Sequence, residues 1–274
     1  MIARIGRLTA AEALKLSSHP FFYVALLLVV AATVVPEFLY TAFQSSKETP
    51  WRSWHAVHLF AVGFQVGLKL STYVLLVFAG MLVAGEFDRG TIKNLLTRPV
   101  TRTDFFLSKC LTLLGLSGLL FGLVLYAALV TALARGVLGP VWDDTQYLIM
   151  KSETDILWYA RHSIALCLPS FLAAGFLGFW VSTWTESSGY AVAIALVLFL
   201  FGDLATGWLR ESHQEKLFFY YPSYATAKLL AVAQGEGWTR DAIRGLPYIR
   251  VPALYIAAFA PAAYGLFRFK NIHS

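Results

Sequence analysis

The stretch AGEFDRGTIKNLLTRPVTRTDFFLSKC, residues 84–110, is the most polar short segment between two long apolar runs. The 274-residue chain around it is 58% hydrophobic and only 14% charged, with a mean hydropathy of +0.62. An ordinary soluble domain carries about 25% charged residues. A soluble core of this size could not bury so much apolar surface, so the sequence predicts an all-α membrane protein with several spans.

The N-terminal segment is amphipathic at the period of a helix. Arg4, Arg7 and Lys15 fall within one narrow arc, which predicts a helix over 1–19 that lies in the membrane interface. A basic segment before an apolar run is also typical of a signal peptide, but the run ends in Pro36-Glu37 without a small-residue cleavage site. We therefore predict that the first apolar run is a retained span.

Six apolar runs are candidates for membrane-spanning helices in one transmembrane domain over 1–274. The predicted spans are 20–41, 58–84, 105–134, 157–184, 189–206 and 252–267, and Pro169 predicts a kink in the fourth. Six spans place both termini on the same side. On the other side lie the loop 135–156 and a longer outer loop, 208–250, whose apolar spacing predicts short helices on the membrane surface before span 6.

The distribution of Lys and Arg predicts the orientation. The face that carries the termini and 85–104 has a clear basic excess, whereas the opposite face is nearly balanced. Cytoplasmic loops carry such an excess, so both termini are predicted to be cytoplasmic. The formal net charge of +6 therefore reflects membrane orientation and does not predict nucleic-acid binding.

The segment between spans 2 and 3 is longer than a plain connection, which needs about 4–6 residues. Apolar residues at helical spacing, with a glycine before them and a proline after them, predict a short amphipathic helix over 86–97. The residues that order it are Gly90, Ile92, Leu95, Leu96 and Pro99. This helix either packs on the ends of its own spans or docks on a partner.

The order of residues in this segment resembles the signature of the ABC (ATP-binding cassette) type-2 exporter permeases. The matching residues are Glu86, Gly90-Thr91-Ile92, Leu95-Leu96, Pro99-Val100, Arg102 and Leu107-Ser108-Lys109. The segments LGFWVSTWTESSGYA (177–191) and YYPSYATAKLLAVAQG (220–235) also agree with the family pattern. The resemblance covers the whole chain and is greatest to the single-domain permeases grouped with multicopper-enzyme maturation permeases.

The resemblance implies a permease subunit of an exporter in the cytoplasmic membrane of a prokaryote. Two such subunits, identical or different, would pair within the lipid bilayer around a path for the substrate. Separate ATPase subunits would bind ATP and Mg, since this chain contains no GxxxxGK[ST] phosphate loop and no cofactor is expected in it.

The same resemblance assigns roles in ATPase coupling. The 86–97 segment would be the coupling helix, with Glu86 and Arg89 orienting it, Gly90-Thr91 setting its start, and Ile92, Leu95 and Leu96 filling a groove of the ATPase. Pro99 and Arg102 complete the motif, and the 185–188 turn with Glu186 would be a second contact.

Two charged residues near the outer side are candidates for a translocation path. Lys69 either lies inside the second span, where a charge is functional by default, or extends to the interface from a span that begins at Leu68. Asp203 could pair with Lys69, line a path, or make a local cap or water contact. We favour the interfacial position for Lys69 and the local contact for Asp203.

Other classes of function find little support in the sequence. A copper site is not expected, because His55 and His58 lie at a different depth from Met81 and Cys110. Catalytic motifs such as HExxH are absent from the sequence, and a pairing of His162 with Ser163 or Ser170 is the remaining candidate for an intramembrane enzyme. A membrane scaffold without transport is the other alternative, and only the 86–109 pattern, which suits an ATPase contact, argues against it.

Overall fold

The computed structural model describes residues 2–44, 55–90, 101–139, 141–142, 149–234 and 247–270. Its helices in these ranges are α1 (Ile2–Ser17), α2 (Pro20–Gln44), α3 (Ala56–Asp88), α4 (Arg102–Arg135), α5 (Glu153–Trp184), α6 (Ser188–Trp208), α7 (Glu211–Gln214), α8 (Tyr220–Ala233) and α9 (Arg250–Phe269). Among the described residues, α2, α3, α4, α5, α6 and α9 are long and apolar enough to cross a membrane. The all-α membrane fold with six candidate spans is confirmed.

Helix caps explain why three helices begin before the predicted starts of their spans. Thr101 accepts a hydrogen bond from the Asp104 N–H (3.1 Å), Ser152 from the Asp155 N–H (3.3 Å), and the His55 Nδ1 from the Val57 N–H (3.3 Å). Each cap precedes the apolar run, because capping residues satisfy the first backbone N–H groups of a helix. The helices that contain the spans predicted to start at 105, 157 and 58 thus begin at 102, 153 and 56.

Other ends of the spanning helices also lie beyond the apolar runs. The second span, predicted over 58–84, continues to Asp88, so Glu86 lies in the last turn of α3 and does not begin a separate helix. The first span continues past Pro36, which lies inside α2, and Pro169 lies inside α5. The fifth and sixth spans extend to Ser188–Trp208 and Arg250–Phe269.

The long helix α3 is at the centre of the bundle. It contacts α2, α4, α5, α6 and α8, and its Leu75, Leu76 and Ala79 are fully buried. In the most apolar 18-residue stretch of each helix, 61% of the residues are buried in α3 but only 11% in α6. α6 therefore presents most of its apolar side chains outward, where lipid or another subunit can cover them.

The segment before α9 contains short helices, as predicted, and one of them, α8, also packs into the bundle. α8 packs against α3 and α5, and its Tyr221, Ala225 and Leu229 are fully buried. The Tyr221 hydroxyl donates to the Glu215 carbonyl, and burial raises the pKa of Tyr221 to about 12. The apolar face of α8 is therefore part of the protein core. In the predicted loop 135–156, Val141–Trp142 and Ile149–Lys151 form a short antiparallel strand pair, β1 and β2.

Candidate coupling site and membrane ion pairs

Charged and polar contacts gather at the end of the bundle that carries the chain termini. This proximal end comprises α1, the last turn of α3, the first turns of α4 and α6, and the last turns of α5 and α9. It includes both segments for which the sequence predicts ATPase contacts. The opposite end is called the distal end.

A buried ion-pair network joins three helices at the proximal end. Glu86 of α3 accepts hydrogen bonds from Lys109 of α4 (3.0 Å) and from Lys15 of α1. Lys109 also forms an ion pair of 2.7 Å with Glu12 of α1. Only 3% of the Glu86 side chain and 1% of the Lys109 side chain are exposed. We call these four residues the Glu86 network.

The Glu86 network attaches α1, the amphipathic N-terminal helix, to the bundle. Loss of one partner in a buried ion pair typically costs about 3–5 kcal/mol, because the other charge remains buried without compensation. A further ion pair of 3.7 Å joins Arg4 of α1 to Asp104 of α4. α1 is therefore attached to α3 and α4 by charges in addition to its apolar face.

The connection after α3 begins with a glycine that its backbone requires. The Arg89 N–H donates to the Gly85 carbonyl and the Gly90 N–H to the Phe87 carbonyl. Gly90 has a φ of 65°, the left-handed conformation that commonly ends a helix and that glycine adopts without a steric penalty. Gly90 thus ends α3, and the side chain of Arg89 is exposed beside this turn.

The end of α3 is bonded to the turn that precedes α6. The Asp88 carboxylate accepts hydrogen bonds from the Ser188 hydroxyl and from the Ser188 backbone N–H (3.4 Å). Ser187, at the N-cap position of α6, makes no capping bond with its own side chain. Asp88 takes over this role, so the described part of the first predicted ATPase contact, residues 86–90, lies beside the second, the 185–188 turn.

The remaining described residues of the motif hold the C-terminal end of α9. Arg102 donates to the Arg268 carbonyl (2.7 Å) and to the Lys270 carbonyl (3.4 Å). The Lys270 ammonium lies 3.8 Å from the Glu186 carboxylate and donates to the Thr185 carbonyl (3.1 Å). Burial lowers the pKa of Lys270, and Glu186 partly opposes this shift.

Glu186 differs from these buried groups, since 72% of its side chain is exposed. It therefore has surface available for a partner. Six other motif residues lie outside the described residues, namely Thr91, Ile92, Leu95, Leu96, Pro99 and Val100. The helix predicted over 86–97 is described only to Gly90, and its coupling role remains a prediction.

Lys69 and Asp203 form an ion pair of 3.0 Å between α3 and α6. α3 begins at Ala56, so Lys69 lies roughly 20 Å along this helix and does not stand at its start. Asp203 thus pairs with Lys69 instead of making only a local contact, and the interfacial position favoured for Lys69 stays a prediction. The pair borders a cavity of about 80 Å³ that is also lined by Thr72 and Ser170.

Glu37, at the end of the first apolar run, is a buried acid. It lies inside α2, is fully buried, and faces Thr131 and Arg135 of α4. Neither carboxylate oxygen accepts a hydrogen bond of normal geometry from the described residues. Gly63 of α3 makes room for it, since a Cβ there would lie 2.0 Å from the Glu37 Oε1. A buried ionisable residue inside a candidate membrane-spanning helix is a candidate functional group.

The pairing considered for an intramembrane enzyme is not assembled. His162 bonds through its Nδ1 to the Trp158 carbonyl (2.8 Å), and Ser163 donates to the Ala225 carbonyl (3.4 Å). The Ser170 hydroxyl has no hydrogen-bond partner among the described residues. Neither serine is therefore activated by His162, as nucleophilic catalysis would require.

The fold and the proximal contacts define a class of protein, a multi-span helical membrane protein with one end specialised for polar contacts. A model of the ABC-2 family transporter protein matches residues 8–202, from α1 into α6. The chain belongs to this family, whose members are membrane permease subunits of ABC transporters. The resemblance inferred from the 84–110 segment is thereby confirmed.

A curated relative supports the same extent of similarity. The chain is 26% identical over 211 residues to the uncharacterized protein YhcI of Bacillus subtilis (strain 168). The matched region covers 73% of this chain and 64% of YhcI. The chain therefore spans about two thirds of the length of that relative.

Proposed function

We propose that the chain is the permease subunit of an ATP-driven exporter, and that its proximal end receives the movement of a separate cytoplasmic ATPase. The observation that carries the proposal is the set of polar bonds that links α1, α3, α4 and α6 near Gly90 and Thr101, the described residues on either side of the connection between α3 and α4. A force on this connection reaches four helices at once, because each is bonded to a neighbour there.

The contacts suit transmission of a rigid-body movement. Glu86 and Lys109 join the helices on either side of the connection, and Asp88 joins the same end of α3 to α6. Packed helices change arrangement between discrete states and do not deform continuously. Closure of an ATPase dimer would therefore tilt these helices together and alternate access to the path.

In this proposal Glu86 has a different part from the one implied by the resemblance. Its carboxylate faces Lys15 and Lys109 inside the chain, so it positions the start of the connection and does not enter the ATPase groove. Arg89 and Glu186 are exposed and remain available for direct contact. Ile92, Leu95 and Leu96 supply the apolar residues for the groove.

The basic excess at the proximal end supports its placement in the cytoplasm. The exposed apolar side chains of α6 support pairing with a second permease subunit; they include Tyr190 (72%), Val197 (63%), Phe201 (65%) and Leu204 (63%). In the proposal the partner ATPase binds ATP and Mg, and this chain contributes no hydrolytic residue. The complex resides in the cytoplasmic membrane of a prokaryote and moves its substrate outward.

The test is purification of the tagged chain from its native cells in mild detergent, followed by measurement of Mg-ATP hydrolysis and mass spectrometry. We expect an ATP-binding cassette subunit to co-purify with the wild-type chain and to be released by Leu95→Asp. Leu209→Asp is the matched control, since it makes the same change at the distal end of α6.

Retention of the ATPase by both variants would contradict docking through the 86–97 segment. Absence of any ATPase from the wild-type preparation would count against the transporter function and favour a scaffold. Each variant chain, once separated from any ATPase, must elute as the separated wild-type chain does on gel filtration, so that release of the ATPase is not a consequence of unfolding.

A further inference from the structure

A cavity of about 470 Å³ opens at the proximal end between α1, α3 and α6. Its volume is within the range of about 300–1,000 Å³ that is usual for small-molecule sites. The walls come from α1, the start of α2, the end of α3, Lys109 of α4 and the start of α6.

The cavity changes from polar to apolar along its depth. Arg89 and Lys15 line its proximal rim, whereas Phe78, Met81 and Val192 line its deeper part. Phe78 and Arg89 lie on the same helix about 16 Å apart at 1.5 Å a residue. A charged rim above an apolar wall of this depth fits an amphiphile that stands with its head group at the proximal end.

The charges of the rim favour an anion. Lys15, Lys109 and Arg89 outnumber Glu12 and Glu86 among the lining residues. Lys109 and Lys15 are engaged with the two acids, but Arg89 has no carboxylate within ion-pair distance among the described residues. His19, which is exposed at the same rim, likewise has none there. Basic pockets between membrane helices bind anionic lipid head groups in this way.

Two glycines keep the cavity open. Gly85 and Gly189 both line it, and a Cβ built on Gly85 would meet no atom within 4 Å. A larger side chain at Gly85 would thus enter the cavity without a clash against the protein. Gly115 of α4 is also exposed and has equally open space, but it does not line the cavity.

We infer that this cavity binds one anionic glycerophospholipid from the adjacent leaflet, with the phosphate at Arg89 and an acyl chain along Phe78, Met81 and Val192. The lipid fills the gap between α1, α3 and α6. This inference goes beyond the proposed function, because it requires neither an ATPase nor transport.

The test is native mass spectrometry of the delipidated full chain, titrated with dioleoyl phosphatidylglycerol or with dioleoyl phosphatidylcholine. The wild-type chain is expected to retain one phosphatidylglycerol in preference to phosphatidylcholine. Gly85→Leu is expected to abolish this bound lipid, whereas Gly115→Leu leaves it. Arg89→Gln is expected to weaken phosphatidylglycerol binding about fivefold, the effect of one basic residue near an anionic lipid, and the control Arg161→Gln is expected to have no effect.

A photoactivatable phosphatidylglycerol with a diazirine in its acyl chain locates the site independently. Labelled peptides containing Met81 or Val192 would support the inference. Equal binding of the two lipids by the wild type, or unchanged binding in Gly85→Leu, would overturn it, since lipid would then bind only around the outer surface. If the cavity instead held a peptide of a partner or a second copy of the chain, phosphatidylglycerol would not bind in preference to phosphatidylcholine, and the inference would be overturned.

Discussion

Glu86 of α3 and Lys109 of α4 form an ion pair of 3.0 Å in which neither side chain is more than 3% exposed. The two residues stand on either side of the connection for which the sequence predicts an ATPase contact. Glu12 and Lys15 of α1 complete the network. Two acids and two bases thus compensate one another at the base of three helices.

Lys109→Met is expected to destabilise the folded chain by about 3–5 kcal/mol, because Glu86 and Glu12 both lose a buried partner. Lys15→Met is the control and should cost less, about 1 kcal/mol or below, since 38% of the Lys15 side chain is exposed. Thermal unfolding in detergent measures both. Equal effects of the two variants would contradict the central position assigned to Lys109.

Gly90→Ala is expected to destabilise the chain by roughly 1–2 kcal/mol, because Gly90 has a φ of 65° and alanine is strained in the left-handed region. Gly90→Asn should cost less, since asparagine tolerates this conformation. Gly85→Ala is the control inside the helix and should be neutral or stabilising. The order of the three melting temperatures checks the prediction.

Asp203→Leu alone is expected to reduce the yield of folded protein in the membrane. The substitution leaves Lys69 without its partner, and an unpaired charge within a span costs about 2.5–3.5 kcal/mol. The double variant Lys69→Leu/Asp203→Leu should restore the yield. If transport is lost in a well-folded double variant, the pair lines the substrate path. A double variant that folds no better than the single one would refute the pairing.

Gly63→Ala is expected to destabilise strongly, because a Cβ at this position would lie 2.0 Å from the Glu37 Oε1 and 2.7 Å from the Thr33 carbonyl. Overpacking of a buried site typically costs about 1–3 kcal/mol. The second variant Glu37→Ala should relieve part of this effect. Gly118→Ala on α4 is the control with open space around it, and an equal loss in both glycine variants, measured by thermal unfolding, would contradict the prediction.

The number and type of the spanning helices could be predicted from the apolar runs, but their bounds could not. The caps at His55, Thr101 and Ser152 are polar residues outside the runs, and a count of apolar residues passes over them. The sequence likewise predicts that the second span ends before Glu86, whereas α3 continues to Asp88, because the spacing of a motif does not show where a helix ends.

Contacts distant in sequence were the least accessible to prediction. Lys15 lies on the basic arc of α1, but its partner Glu86 is 71 positions away, and only the packing of α1 on α4, beside the end of α3, brings them together. The spacing of residues predicts short helices before the last span but does not show what α8 contacts. The tertiary structure buries Tyr221 of α8 in the core.

The helices α3 and α6 are joined twice, by Asp88 with Ser188 at the proximal end and by Lys69 with Asp203 farther along. Along α3 the two joints are about 28 Å apart at 1.5 Å a residue. Two separate contacts between a pair of antiparallel helices prevent one helix from rotating about the other. The pair therefore acts as one lever, and a tilt of about 10° at the proximal contact would carry the Lys69–Asp203 cavity sideways by about 5 Å over this arm.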